Sequence, residues 1–495
     1  MKFRLSVLFF PFVAVINVQA QSKKDRLEKY FAALHENGQF NGNVLIAEKG
    51  KIVYEKSFGH ADFEARRLNT NHSTFPIASI TKMFTATAIL QLKEKGKLQI
   101  NDPVIKYLQG FPYPAITIKH LLSHTSGLRP YDDFFDSVRL LYPDTVFTNS
   151  DILPRYAALK LPLLYEPGED GNYDNINFIF LALVVEKLTG MPLQDYIKKI
   201  VLSPAGMTNT IFPKVSFYNY TLKEKKNLVQ TYWFPHLYSE TRERTDTISF
   251  VSKYWHSYNF KGFGELISTT EDLLKYDQAL YNGVLLSRST LKEAFVPVRL
   301  NNGKINPVRN GLGWQVEQDS AFGTLVFHGG GIIGLRSIFL RNITKHQTII
   351  ILDNSQNDVD EMQEHALKIL NGQAVKQPGQ SLAKLYGKVL VNKGMPAASS
   401  ILDSLHADSV NYSLNEGEFN SLGYDLLSSN KIVEALETFK INTRLFPESW
   451  NVYDSYGEAL LKIGQKEEAI KMYKQSIKLN PGNKNGRTVL DELLK

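Results

Sequence analysis

Apolar and polar positions divide the chain into stretches of different period. Leu5 to Val18 is almost wholly apolar behind Lys2 and Arg4, and Val18-Gln19-Ala20 supplies small residues ahead of Gln21. That pattern is a secretory leader over residues 1–20, too short and too Pro-interrupted (Pro11) for a membrane span. Asp25 to His35 has helical spacing. Gly42 to Ala47 and Ile52 to Glu55 read as strands around the turn Glu48-Lys49-Gly50-Lys51, a hairpin. Gly313 to Val316, Thr324 to Phe327, Ser337 to Leu340 and Thr348 to Leu352 are further short strands, and Val359 to Leu370 a helix. Between them the spacing is mostly helical, as in Thr85 to Glu94 and Phe178 to Leu188. Strands at both ends of one block imply a single antiparallel sheet closed by the chain's two ends, with a helical region inserted. No later segment is apolar and long enough to cross a bilayer, so the mature protein is expected to be exported, periplasmic or secreted.

Past the linker signal Gln377-Pro378-Gly379-Gln380 the period changes again. Gly423, Ala435, Phe439 and Pro447 recur 34 residues later as Gly457, Ala469, Tyr473 and Pro481, and Leu426-Leu427 as Leu460-Leu461. This resembles the tetratricopeptide repeat, two helices per unit with small residues where they cross. Leu382 to His406, around Gly387, reads as a degenerate first unit. The expected domains are therefore a leader (1–20), a mixed α/β domain (21–375) and an all-α repeat domain (376–495) able to receive a protein partner. A segment from Lys214 to Phe263 stands apart, with 13 Phe, Tyr or Trp in 50 positions. It is either an insertion with its own small core or an aromatic wall beside a cleft.

Composition narrows the chemistry. The 495 residues contain no cysteine, which excludes disulfides, thiolate nucleophiles, Cys-ligated metals and a lipidated N-terminal cysteine. The net charge is +7, or +5 with the leader's Lys2 and Arg4 set aside, which gives no reason to expect a nucleic acid. His120 and His124 stand four apart, but no His-Glu-x-x-His pattern accompanies them, so no metal and no cofactor are implied.

Ser79-Ile80-Thr81-Lys82 spaces a serine and a lysine to share one helical face. At a helix start the dipole would favour an alkoxide-like oxygen there, and Lys82 could hold the hydroxyl and relay its proton. Ser-x-x-Lys alone is uninformative, since Ser289/Lys292, Ser381/Lys384 and Ser428/Lys431 repeat it. Tyr173-Asp174-Asn175 is the sole Tyr-x-Asn and His328-Gly329-Gly330 the sole His-x-Gly. A tyrosine becomes a general base if a neighbouring cation lowers its pKa. An asparagine can position an amide carbonyl, and glycines let a substrate approach the backbone.

In this order the three motifs resemble the serine β-lactamase-like family, which includes class C β-lactamases, D-alanyl-D-alanine carboxypeptidases and related esterases. The resemblance extends over about residues 25 to 370, through Phe40 to Leu45, Ile118 to Leu128, Pro167-Gly168, Tyr173 to Phe178, Ser203 to Met207, Gly264 to Leu273 and Gly311 to Trp314. It implies an α/β fold with an antiparallel sheet flanked by helices. By position it makes Ser79 the acyl-accepting nucleophile, Lys82 its partner, Tyr173 the general base and Asn175 a substrate-positioning donor. His328, Gly330 and Gly331 would line the substrate, the backbone N–H groups of Ser79 and Gly331 forming an oxyanion hole. Histidine where many β-lactamases have Lys-Thr-Gly looks more like the esterase and peptidase branches. The expected function is an exported serine hydrolase acting on a peptidoglycan D-Ala peptide, an ester or a β-lactam. The alternative is a decayed hydrolase domain that serves as a repeat-bearing binding module.

Overall fold

The computed structural model describes residues 22–213, 221, 226–251 and 257–495, so the expected leader lies outside the described residues. Helix α1 (Lys23–Glu36) starts where Ser22 Oγ accepts the Asp25 N–H, and it leads into β1 (Gly42–Glu48) and β2 (Lys51–Phe58). Lys49 (φ 50°) and Gly50 (φ 75°) make the turn between them, both left-handed as a two-residue hairpin of this twist requires. The chain returns to this sheet only after about 260 residues, as β3 (Gln315–Asp319), β4 (Gly323–Ile332), β5 (Leu335–Asn342) and β6 (Gln347–Asp353). The order is β3-β4-β5-β6-β1-β2, with Gly42 opposite Asp353, so the two ends of the block close one antiparallel sheet as expected.

Both faces of this sheet are covered, which explains why its central strands read as unbroken apolar runs rather than alternating ones. Val44, Ile46, Ile349 and Ile351 face α1 and α6 (Val359–Leu370), meeting Leu27, Phe31, Met362 and Ala366. Leu45, Ala47, Ile350 and Leu352 face the inserted helices α2 (Thr81–Glu94), α3 (Ile176–Thr189) and α4 (Thr270–Tyr281). There Phe84 stacks on Tyr276 with ring centroids 4.4 Å apart. Helix α5 (Arg288–Ala294) follows α4 on the same side. No single described helix is long and apolar enough to cross a membrane.

The C-terminal region is a row of helices: α7 (Leu382–Lys393), α8 (Met395–Leu405), α9 (Glu416–Ser428), α10 (Ile432–Leu445), α11 (Trp450–Lys462), α12 (Lys466–Leu479) and α13 (Lys484–Leu493). The 34-residue period has a packing cause. A Cβ on Gly423 would lie 2.7 Å from the Phe439 ring, and one on Gly457 3.2 Å from Tyr473, so each hairpin closes on a glycine beneath an aromatic ring.

Neither expectation for the aromatic-rich segment covers what is described of it. Tyr258 and Phe260 join Tyr131, Phe135 and Phe147 in an aromatic cluster that reaches Phe263. Residues 231–245 instead form a strap. At one end it lies under the β4–β5 turn, where Tyr232 N–H donates to Asn354 O (3.0 Å) and a Cβ on Gly334 would meet Thr245 Cγ2 at 2.4 Å. At the other end Leu237 and Tyr238 pack into the core of the C-terminal helices. Leu237 N–H donates to Asp425 Oδ2 (2.6 Å) and the Tyr238 hydroxyl to Ser429 Oγ (2.8 Å). The helices that the sequence suggests as a separable module thus share a core with the first domain.

Candidate active site

Ser79 lies in a 3₁₀ turn, Ala78–Ile80, immediately before α2 rather than at the helix's own first residue. The preceding Ala78 has φ 45°, a left-handed conformation unfavourable for a residue with a Cβ. Contacts on both sides hold the strained turn. Ile77 N–H donates to Leu266 O (2.8 Å), Leu266 N–H donates to Thr81 Oγ1 (3.1 Å), and Ser337 Oγ donates to Ile77 O (3.1 Å). The turn projects Ser79 toward Lys82, one helical step on and fully buried.

Lys82 Nζ has three partners: Ser79 Oγ at 3.0 Å, Asn175 Oδ1 at 2.8 Å and Phe263 O at 2.9 Å. Asn175 and the Phe263 carbonyl can only accept there, so they fix two N–H bonds. The third direction serves either an N–H donated to Ser79 or a lone pair that takes the Ser79 proton. Burial lowers the Lys82 pKa to about 7, against the opposing charges of Glu265 and Asp174, which brings both forms within reach near neutrality. Glu265 is itself buried and accepts the N–H groups of Gly262 (2.5 Å), Phe263 (3.2 Å) and Gly264 (2.9 Å). One carboxylate therefore both shapes the loop that presents Phe263 O and supplies the charge that Lys82 feels.

Tyr173 comes from the loop before α3. Its hydroxyl is hydrogen-bonded to Ser79, while 38% of the residue stays open to the cleft. The expectation of a phenol acidified by a neighbouring cation is corrected by the geometry. Lys82 Nζ lies over the ring, 4.9 Å from its centroid, and burial raises the phenol's pKa, opposed by the Ser79 bond and aided by Asp174. Tyr173 is a neutral phenol at rest.

His124 positions that loop. It is buried, left-handed (φ 58°), and its ring centroid lies 4.4 Å from that of Tyr173. Its Nδ1 receives the Asp174 N–H at 3.2 Å, which leaves the proton on Nε2. Burial, with the charge on Lys82, pushes its pKa well below the usual range. His120 does something unrelated: its Nδ1 accepts the Thr117 N–H at the cap of the helix Ile118–Leu122.

His328 lies on β4 with its ring 6.0 Å from Tyr173. Nδ1 approaches its neighbour's carbonyl, Gly329 O, at 2.6 Å and donates to it, so the buried, unpartnered Nε2 is a bare acceptor. Burial and Lys82 lower the His328 pKa to about 3, and the ring is neutral. β3 pairs with β4 only through Phe327, so from His328 to Ile332 that edge of the strand is without a sheet partner among the described residues. Gly330 lets the strand close onto the Ser79 turn, since a Cβ there would lie 2.3 Å from Ile77 O. Gly331 follows it on the strand.

Ser79, Lys82, Tyr173, Asn175 and His328 thus converge from one turn, one helix, one loop and one strand. The three competing serines do other work: Ser381 caps α7, Ser428 Oγ donates to Asp425 O, and Ser289 contacts Ser287 Oγ. Sequence reasoning missed His124, Glu265, Ser337 and the Phe263 carbonyl. His124, inside Ile118 to Leu128, and Glu265, inside Gly264 to Leu273, lay in family-like stretches, and the other two carried no signal.

The family model described as Beta-lactamase matches residues 27–374. Penicillin-binding protein 4* of Bacillus subtilis (strain 168) is 36% identical over 347 residues, covering 69% of this chain and 74% of that one. Among solved structures, a penicillin binding protein from Bacillus halodurans has 25% identity and a TM-score of 0.56, covering 70% of this chain and 98% of that one. D-amino acid amidase from Ochrobactrum anthropi SV3 has 21% identity and a TM-score of 0.55, covering 70% and 99%, a likeness of fold alone.

Proposed function

The chain belongs to the β-lactamase family, and from that premise we propose that it is an exported serine hydrolase working through an acyl-enzyme on Ser79. The observation that carries this reading is the triple contact of Lys82 Nζ. In its neutral form the amine donates to Asn175 and Phe263 and takes the Ser79 proton as Oγ attacks the acyl carbon. Backbone N–H groups at Ser79 and Gly331 receive the developing oxyanion. Tyr173, a neutral phenol bonded to Ser79, passes the proton to the departing nitrogen or oxygen, and water then hydrolyses the ester on Ser79. Four interlocked side chains with complementary donors and acceptors count against a decayed site.

His328 supports a choice among acyl donors. A neutral ring in that position does not offer the charge with which an ammonium would hold a substrate carboxylate. Esters and D-amino acid peptides are therefore proposed ahead of β-lactams, which serve as covalent probes. Export rests on the leader pattern of residues 1–20. Fluorophosphonate or fluorescent penicillin should label the wild type and leave Ser79→Ala unlabelled, while p-nitrophenyl esters, D-Ala-D-Ala peptides and nitrocefin rank the substrates. Full labelling of Ser79→Ala would overturn the assignment.

A further inference from the structure

Away from the catalytic turn, α4, α5 and the far ends of β4 and β5 line an open cavity of about 440 Å³. That volume is inside the roughly 300–1,000 Å³ range of small-molecule pockets. Its wall is apolar, with Leu280, Leu291 and Phe295, and its charged lining is cationic throughout: Arg288, Lys292 and Arg341. Arg341 is 1% exposed. Its Nε donates to Asp277 Oδ1 at 2.5 Å and its guanidinium packs over the Tyr281 ring at 4.4 Å, yet Nη1 is buried with no hydrogen-bond partner. A buried guanidinium N–H left unpaired is costly, and a fold tolerates it where something else completes it. Asp277 neutralises Arg341, so the charge left at the cavity is that of Arg288 and Lys292. Both are exposed on α5, and neither makes an ion pair among the described residues.

We propose that this cavity binds an organic anion with an apolar body, its acidic group held by Arg288, Lys292 and Arg341 and its body laid on Leu280, Leu291 and Phe295. The site is separate from Ser79. It shares β5 with it, since Arg341 and Ser337, which ties the Gly330 strand to the Ser79 turn, lie four residues apart on one face.

The test uses the intact chain, with Ser79 blocked by a fluorophosphonate so that the catalytic cleft is closed to the probe. Decanoate and decan-1-ol are titrated by calorimetry against wild type and the double variant Arg288→Glu/Lys292→Glu, both substitutions being on the surface. Thermal melting verifies that the variant folds. Decanoate should bind the wild type and bind the variant about tenfold or more weakly, while decan-1-ol binds both feebly and alike. Ile343→Trp, which fills the cavity, should abolish decanoate binding independently. Equal decanoate affinity in wild type and double variant, decan-1-ol binding as tightly as decanoate, or no decanoate binding at all would overturn the proposal.

Discussion

The three glycines after His328 make a discriminating experiment, because their backbones are alike and their surroundings are not. None of Gly329, Gly330 and Gly331 has a positive φ, so alanine is conformationally acceptable at each. A Cβ on Gly329 meets nothing closer than Ile338 Cδ1 at 3.8 Å, and one on Gly331 meets Arg336 Nη1, the far end of a flexible side chain, at 2.8 Å. A Cβ on Gly330 falls 2.3 Å from Ile77 O and 2.4 Å from Ser337 Oγ. Cβ contacts essentially never come under 3.0 Å, so strand and turn must part by at least 0.7 Å. Ile77 O is backbone and cannot yield by a rotamer change, and turning Ser337 Oγ aside would break its bond to Ile77 O. The displacement carries the Gly331 N–H away from Ser79. A misplacement of about 1 Å costs on the order of 10²-fold, and losing one oxyanion donor costs about the same or more. Gly330→Ala should therefore lower kcat/KM for a p-nitrophenyl ester by about 10²-fold, with an overpacking penalty of about 1–3 kcal/mol in the melt. Gly329→Ala and Gly331→Ala should stay within about threefold of wild type, the scale of a substitution that disturbs little. Near-normal turnover by Gly330→Ala, or a hundredfold loss in Gly331→Ala, would refute the close-approach argument.

Lys82 sets a pH limb. Its pKa is about 7 in the fold, and below it the added proton occupies the lone pair that Ser79 needs, so acylation should rise with pH through about 7 and then level off. Because the Glu265 carboxylate raises that pKa, Glu265→Gln should move the limb to lower pH in stopped-flow labelling, and a fixed or upward limb would contradict the coupling. Tyr173→Phe should slow acylation by roughly 10²–10⁴-fold without moving the limb, since the phenol is neutral on both sides of it. Tyr238→Ala should destabilise the C-terminal helices by about 2 kcal/mol, seen as faster amide exchange in α7 and α9, whereas unchanged exchange would mean the strap contributes nothing.

Where burial follows a simple period, the sequence was readable. Val359 to Leu370 is a helix over those residues, and Ser337 to Leu340 and Thr348 to Leu352 lie inside observed strands, whereas Gly313 to Val316 meets β3 only at Gln315 and Val316. Thr324 to Phe327 stops short of the observed strand end at Ile332, because three glycines carry no strand signal and are held extended by pairing with β5. Ser79, Lys82, Tyr173, Asn175 and His328 were legible from motif order, and their convergence was not. The electrostatics were misjudged at Tyr173, where burial raises the phenol's pKa instead. Glu265 stood in the family-like stretch Gly264 to Leu273, yet its role was unreadable for a different reason. A glutamate between Gly264 and Leu266 reads as an ordinary loop charge until three backbone N–H groups turn toward it.

The strap leaves the C-terminal helices with one face already covered by a segment of their own chain. Leu237 and Tyr238 rest against α7 and α9, and a Cβ on Gly387 would already meet Tyr238 Cβ at 3.2 Å. Tethered segments present themselves at effective concentrations in about the millimolar range, so any peptide entering that groove competes with an occupant that never diffuses away. Its measured affinity is weaker than its intrinsic one by the ratio of that concentration to the strap's own dissociation constant. A successful competitor also does more than occupy a surface. By lifting Leu237 and Tyr238 it slackens the segment on which the β4–β5 turn rests, so displacement at one end is felt at Gly334, three residues from Gly331.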